Sequence, residues 1–142
     1  MRNVVVRAFL PFVLLVACAS TWAVEPFSGN LKVVRVDKSG HRLFVAPAAE
    51  FVKSTATAND YIARLSREIA LHLPDWDGAW SVSFFENPKY ATFKDDPTVL
   101  EEVESGVWAK SYLAEYDNGT RRLVWFPLDP AKVRHAVIKG PK

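Results

Sequence analysis

The sequence predicts an α+β domain, in which an antiparallel sheet of about five strands carries one main helix on a face. Three observations predict this fold class. The Asn118-Gly119 dipeptide separates two runs rich in Val, Leu, Trp, Tyr and Phe, which is a strong hairpin signal. Residues 57–73 repeat apolar side chains at three- and four-residue steps, as an amphipathic helix does. The remaining apolar runs are short and are bounded by Pro, Gly and Asp, as strands of a small sheet are.

The first two strands are predicted at residues 31–36 and 42–46, after a short tether over residues 24–30. Residues 37–40 supply Asp, Lys, Ser and Gly, which suit a turn between the two strands. Pro47 ends the second strand. The two strands therefore form a first hairpin, whose inner face the periodicity leaves open.

The main helix follows over residues 57–73. Thr57 and Asp60 resemble a capping box at its start, and Pro74 stops it. The apolar positions fall on one stripe of the helix surface, which consists of Ile62, Leu65, Ile69 and Leu73. This stripe is expected to pack on the sheet.

A third strand is predicted over residues 79–85, with its apolar side chains on one face. Ser81 and Ser83 share the other face, which we expect to point toward solvent or a shallow groove. A short helix starts near Pro97 and runs to about residue 104. Residues 131–138 form either a last short helix or an extended edge.

The central hairpin is predicted to close with a two-residue type I′ turn, since Asn-Gly accepts a positive φ at both central positions. This turn places Glu115 opposite Arg122 and Tyr112 opposite Trp125. The first pair joins opposite charges and the second joins two aromatic rings, each stabilising by roughly 0.2–1 kcal/mol.

One face of this hairpin is predicted to mix large rings with two cations. Its members are Trp108, Lys110, Tyr112, Tyr116, Arg121 and Trp125. Two interpretations stay open. The face is either a second core face, which is the commoner role of aromatic residues on strands, or a stacking platform for a sugar ring or a partner protein.

The N-terminus has the pattern of a secretory signal. Arg2 and Arg7 precede a short apolar run. That run is too short to span a bilayer, which takes ~20 residues. We therefore predict export.

Two processing routes stay open for this signal. The four residues that end in Cys18 resemble the bacterial lipobox, so Cys18 is a candidate lipidation site and the signal would span residues 1–17. Alternatively, small residues at positions 21 and 23 suit ordinary cleavage before Val24, with a signal over residues 1–23 and a single domain over 24–142. No second cysteine is present, so no disulfide forms within the domain.

The charge balance argues against nucleic acid as a partner. The chain has 18 basic and 16 acidic residues, and either processing route removes two arginines and no acid, which leaves 16 of each sign. A neutral domain without a basic stripe lacks the electrostatic footprint of a nucleic-acid-binding protein.

No catalytic motif is apparent in the sequence. It has no nucleophile elbow, no phosphate-binding glycine loop and no pair of histidines at metal-ligand spacing, so we expect no metal and no cofactor. An enzyme is the alternative hypothesis: an envelope hydrolase with a pocket under the main helix. Its candidate lining residues are His72, Asp77, Glu86 and Tyr90.

The expected function is that of a small exported, non-catalytic binding domain of the bacterial cell envelope. It would be periplasmic, or anchored to the outer membrane through lipid on Cys18. The expected partner is an envelope protein or a cell-wall component, and a second copy of the chain is a further option through the ring face.

Overall fold

The computed structural model describes residues 27–139, which form a six-stranded sheet with one long helix on a face. The strands are β1 (Val33–Asp37), β2 (Arg42–Val45), β3 (Ser81–Phe85), β4 (Tyr112–Asp117), β5 (Arg122–Trp125) and β6 (Arg134–Val137), and the helices are α1 (Thr55–His72), α2 (Leu100–Glu104) and α3 (Val107–Ser111). The α+β prediction is confirmed, with one strand more than expected. The extra strand is β6, in the segment that the sequence left open between helix and edge.

The strands lie in the sheet in the order in which they occur in the chain. Neighbouring strands are antiparallel except β2 and β3, which are parallel. Helix α1 makes the crossover that a parallel pair requires. The long helix thus links the N-terminal hairpin to the other four strands.

Helix α1 begins two residues earlier than predicted because Ser54, rather than Thr57, is its N-cap. The Ser54 hydroxyl accepts a hydrogen bond from the Thr57 N–H at 3.2 Å, and the Ser54 N–H donates to Thr57 Oγ1 at 3.0 Å. Thr57 is therefore the second member of a capping box.

The main core lies between α1 and the sheet. It is built from one stripe of the helix and from the alternating side chains of the central strands, among them Tyr61, Ile62, Leu65, Ile69, Leu43, Val45, Val82, Phe84, Ala114, Tyr116, Leu123 and Trp125. Phe27 is also part of it, with 8% of its surface exposed. The predicted tether is therefore wrong in the part that the structure describes, where residues Gly29–Leu31 form a 3-10 turn. Residues 24–26 lie outside the described range.

A second core covers half of the opposite face of the sheet. Residues 86–111 leave the end of β3, pass through α2 and α3, and return to β4. They bury a separate cluster of apolar side chains, which includes Phe44, Ala46, Phe85, Ala91, Val99, Trp108 and Tyr112. The other half of this face stays uncovered.

Residues 107–111 are helical, so the prediction that places Trp108 and Lys110 on a strand of the hairpin is wrong. Gly106 adopts a positive φ of 77° and starts the turn of helix. Trp108 and Tyr112 then stand four residues apart, and their rings lie 5.5 Å from each other on the second core. The burial of Trp108 under this segment outweighs its preference for a strand.

The central hairpin has a register two residues away from the predicted one. Asp117 pairs with Arg122 and Ala114 with Trp125, which leaves a four-residue loop over 118–121. The predicted pairs of Glu115 with Arg122 and of Tyr112 with Trp125 therefore do not form. Asp117 fixes the longer loop, since its carboxylate accepts hydrogen bonds from the Thr120 N–H at 2.7 Å and hydroxyl at 2.8 Å.

Within residues 27–139, no helix is long and apolar enough to cross a membrane. The predicted signal, Cys18 and both cleavage positions lie outside the described residues.

Candidate functional site

The part of the second sheet face that borders the second core, here called the open face, is made of two rows of side chains that run across the strands. Phe44 and Ser83 in the upper row are buried, and the lower row is more exposed. The upper row is Arg35, Phe44, Ser83, Glu115, Val124 and His135, and the lower row is Asp37, Arg42, Ser81, Asp117, Arg122 and Val137. Residues in each row face one another in register, so their side chains project to the same side. The rows carry both signs of charge, and serines occupy the middle strand.

A hydrogen-bonded network crosses the middle of the open face. Arg42 on β2 lies 3.4 Å from Glu115 Oε1 on β4 and donates to the Ser81 hydroxyl at 3.2 Å. The Tyr112 phenol donates to Glu115 Oε2 at 2.9 Å, and the Ser83 hydroxyl hydrogen-bonds the Tyr112 oxygen. The ion pair can reach over β3 because only serines stand between its partners. Both oxygens of the carboxylate are thus engaged.

A groove of about 410 Å³ lies where the open face meets the second core. Its floor is the polar network and its walls are mainly aromatic, with residues Arg42, Phe44, Ser83, Phe85, Thr92, Phe93, Lys94, Asp95, Trp108, Tyr112, Glu115 and Leu128 around it. The groove thus offers apolar walls beside fixed hydrogen-bonding groups. The prediction that Ser81 and Ser83 face a shallow groove or solvent is confirmed, and Ser83 lines this groove.

One wall of the groove is held by two arginines. The Arg35 guanidinium lies 5.3 Å from the centre of the Phe93 ring and that of Arg42 lies 5.9 Å from it, which is within cation–π range. Arg35 also pairs with Asp96 at 2.9 Å. Asp96 accepts from the Thr92 hydroxyl at 2.6 Å as well. The loop that carries Phe93 is therefore fastened to β1.

The acidic and phenolic groups of the site have shifted pKa values. Hydrogen bonds from the hydroxyls of Thr92 and Thr98 hold the pKa of Asp96 well below its usual range, and Arg35 contributes a smaller part. Burial raises the pKa of Tyr112, and the neighbouring Glu115 charge raises it further. At neutral pH, Tyr112 is therefore a hydrogen-bond donor and Asp96 a carboxylate.

The six residues predicted to form one ring face lie in four places. Trp108 and Tyr112 line the groove, although both rings are largely buried. Tyr116 and Trp125 are buried in the main core. Lys110 is exposed on α3, and Arg121 is exposed in the loop between β4 and β5. The predicted face is not one surface, because α3 turns Trp108 away from the strand and a bulge beside Phe85 places Tyr112 on the opposite side from Tyr116.

Sequence reasoning missed Arg42 and Phe93 as members of a site, and it considered Glu115 as a catalytic carboxylate only to set it aside. The predicted hairpin register gives Glu115 a cross-strand partner in Arg122, and the sequence predicts residues 42–46 only as a strand. The one available signal was the alternation of small polar and large apolar side chains on β3. It predicted the position of the groove, but it could not identify which residues of β2 and β4 flank the serines.

The residues considered for a hydrolase do not converge. Glu86 and Tyr90 share one depression at the end of β3, whereas Asp77 lines another of about 710 Å³ at the C-terminal end of α1. His72 pairs with Glu68 on the surface of α1 at 3.3 Å. The 710 Å³ depression is bordered by Ile69 and Leu73 of α1, and the main core fills the space between the rest of α1 and the sheet.

A serine–histidine pair does not form on the open face either. Ser83 and His135 occupy the same row but are three strands apart, which is about 14 Å at ordinary strand spacing. Among residues 27–139, no group of three or more His, Cys, Asp or Glu side chains could hold a metal ion. The groove therefore offers shape and hydrogen bonds, and its carboxylate is already paired.

No family model, curated protein or solved structure matches this chain. The geometry of the groove and of the open face is thus the basis for a functional hypothesis.

Proposed function

We propose that this protein is an exported, non-catalytic binding domain of the bacterial cell envelope, and that the groove on the open face holds its partner. The observation that carries the proposal is the Arg42–Glu115–Tyr112 network at the floor of an aromatic groove. A concave site with mainly apolar walls and a few fixed polar groups is the usual form of a binding pocket. The partner is an envelope protein or a cell-wall component.

The chemistry of the floor favours binding over catalysis. Glu115 has one oxygen 3.4 Å from Arg42 and the other accepting from the Tyr112 phenol, so the carboxylate is held by two donors on the floor of the groove. The raised pKa of Tyr112 keeps its proton on the phenol. Such a floor can orient a polar group of the partner, while Phe93 and Leu128 contact an apolar one.

Photo-cross-linking in the native host tests the site. A photoreactive amino acid replaces Leu128 at the groove rim or, as a matched control, Leu71 on α1 on the other side of the sheet. Both leucines are well exposed, at 51% and 71%. We expect an adduct from position 128 and none from position 71. Adducts from position 71 alone, or from both positions equally, would show that the groove is not the binding site.

A second change makes the cross-linking test specific for the network. Ser83→Leu fills the floor of the groove, whereas Ser66→Leu places the same side chain on α1. The position-128 adduct should disappear with the first change and persist with the second. The mass of the adduct distinguishes a protein partner from a glycan.

Export is tested separately by the intact mass of the protein recovered from the envelope. The main core includes Phe27, so both candidate processing sites leave the described fold whole. We expect a chain that begins at Cys18 with added acyl groups, or a bare chain that begins at Val24. A chain that retains Met1 would contradict export.

A further inference from the structure

The two edges of the sheet differ in how accessible they are. On β1, a bulge between Val33 and Arg35 breaks the regular register, and all five residues are buried or half-buried. Strand β6 pairs with β5 through all four of its residues without a bulge, and three of the four are exposed. Val137 has 69% of its surface exposed. Within residues 27–139, no further strand lies beyond β6.

The backbone of β6 presents two donors away from the sheet. The Ile138 N–H donates to the Arg121 oxygen on the β5 side at 2.9 Å. Because N–H groups alternate in direction along a strand, those of His135 and Val137 point to the outer side. The next outward N–H, that of Lys139, donates to Asn59 Oδ1 on α1 at 3.1 Å. Helix α1 therefore closes the edge at Lys139, and a pairing segment has room only beside residues 134–137.

Charge is unevenly divided between this edge and the rest of the domain. Residues 121–139 contain five Lys or Arg and one acid, a net charge of +4. Residues 27–120 contain ten Lys or Arg and 14 acids, a net charge of −4. The single acid of residues 121–139, Asp129, is paired with Lys132 at 3.2 Å. The segment that contains β5 and β6 thus carries the positive excess of a domain that is neutral as a whole.

We propose that β6 binds an acidic, extended segment of a partner protein, which joins the sheet as a seventh strand. Backbone hydrogen bonds to His135 and Val137 would hold the segment. The surrounding cations would select acidic side chains. This site is distinct from the groove, so it does not depend on the function proposed for the groove.

The positive charge near β6 also bears on which of three occupants binds there: a second copy of the chain, an acidic strand or an anionic lipid surface. Cations on an edge strand commonly guard against pairing of two copies, since edge-to-edge association would set the cations of one copy against those of the other. The same charge attracts an acidic strand. An anionic lipid surface would use the cations alone, whereas the regular register and the outward donors of β6 are those that strand addition requires.

A peptide titration tests the proposal on the mature protein labelled with ¹⁵N. The probe is a blocked hexapeptide of alternating Glu and Val, and the controls are the Lys–Val peptide and the Glu–Val peptide N-methylated on alternate residues. We expect saturable shifts of the His135 and Val137 amide signals with the acidic probe. Both control peptides should bind about tenfold more weakly, because one loses the charge and the other loses backbone hydrogen bonds. Added salt should weaken the acidic probe.

Two variants of the protein test the same backbone hydrogen bonds by changing β6 instead of the peptide. Val137→Pro removes one outward N–H but no donor to β5, and should weaken the acidic probe about tenfold. Val137→Thr keeps the N–H and should bind like the parent. The N-methylated peptide makes the same comparison on unchanged protein, so the test stands even where the proline variant does not fold.

Three results would overturn the proposal. One is equal binding of the acidic, basic and N-methylated peptides. Another is a concentration-dependent dimer that shifts the His135 and Val137 amides, which would assign the edge to a second copy. The third is binding to vesicles of anionic phospholipid while the acidic peptide leaves both amides unmoved, which would assign the patch to a lipid surface.

Discussion

The side-chain amide of Asn118 donates a hydrogen bond to the backbone oxygen of Gly78 at 2.8 Å. This bond ties the loop between β4 and β5 to the loop that leads into β3. The side-chain oxygen of Asn118 accepts from the Tyr116 phenol at 3.0 Å, and its backbone N–H donates to the Trp80 oxygen at 2.9 Å. Asn118 is therefore a tertiary link rather than the first central residue of a type I′ turn.

The two residues of the Asn-Gly pair should consequently respond differently to alanine. Asn118→Ala removes both side-chain hydrogen bonds and should lower the free energy of unfolding by about 1–2 kcal/mol. Gly119 is not among the positive-φ residues, and a Cβ there would meet Asp117 Oδ1 at an ordinary 3.5 Å. Gly119→Ala should therefore change the free energy of unfolding by less than ~0.5 kcal/mol. Urea denaturation measures both values.

Gly78→Ala is the control for these two variants. Gly78 has a φ of 76°, where a side chain is strained, so alanine should destabilise by about 1 kcal/mol. A costly Gly119→Ala together with a harmless Asn118→Ala would instead support the two-residue turn.

The hairpin shows what periodicity can and cannot predict. A register change of two residues does not by itself move a side chain to the other face, so the apolar pattern fits both loops equally well. Tyr116 and Leu123 face the main core in either register. The side-chain bonds of Asp117 and Asn118 choose between the registers. The bonds of Asp117 are local, whereas the bond from Asn118 to Gly78 depends on a loop that is distant in sequence.

The candidate site was less predictable than the fold for the same reason. Arg42 and Glu115 are 73 residues apart in the sequence, and they meet because β2 and β4 lie on either side of β3. No local pattern specifies that strand order. The spacing of Trp108 and Tyr112 was a local signal for a helical turn, but the Asn-Gly hairpin pattern that followed it predicted a strand instead.

Trp108 should prove to be a structural residue of the groove wall. It is largely buried, it packs against Phe85 and Tyr112, and its indole N–H donates to the Thr92 oxygen at 3.3 Å. Trp108→Ala should therefore destabilise the protein by about 3–5 kcal/mol. Lys110→Ala on the exposed side of α3 is the control and should stay within ~0.5 kcal/mol of the parent.

Thermal and urea unfolding measure the effect of Trp108→Ala. A stable, folded variant that only loses partner binding would contradict this prediction. It would indicate that the Trp108 ring contacts the partner directly. Partner binding itself is better tested through Ser83 and Leu128, which line the groove without supporting its wall.

Asp96 should make stability depend on pH in the acidic range. Its folded-state pKa lies below the ordinary value of 3.8, mainly through the hydroxyls of Thr92 and Thr98. The carboxylate therefore contributes its full stabilisation above the ordinary pKa, and this contribution is lost as the pH falls from there through the lower folded-state pKa. Asp96→Asn should destabilise the protein at pH 7 and progressively less as the pH is lowered below about 4.

Urea midpoints of the parent and of Asp96→Asn over this pH range measure that convergence. Asp95→Asn changes the exposed neighbouring carboxylate and should have a small effect throughout. A gap between the parent and Asp96→Asn that stays constant from pH 7 to the acid limit would show that the carboxylate has no shifted pKa.

Three buried tyrosines should set the alkaline limit of the fold. Burial raises the pKa of Tyr61, Tyr112 and Tyr116 above the ordinary 10.0, and the Glu115 charge adds to the shift at Tyr112. Each phenol donates a hydrogen bond, to Leu31 O, Glu115 Oε2 and Asn118 Oδ1 respectively. Because the unfolded chain ionises first, stability should fall as the pH rises above about 10.

Phenolate absorbance and circular dichroism, recorded together, measure this alkaline transition. We expect the phenolate signal of the buried tyrosines to appear with unfolding and not before it. In Tyr112→Phe, the decline of the unfolding free energy above about pH 10 should become shallower, whatever its value at neutral pH, because one shifted group is gone. Ionisation of all the tyrosines in a chain that keeps its native spectrum would contradict the burial of these phenols.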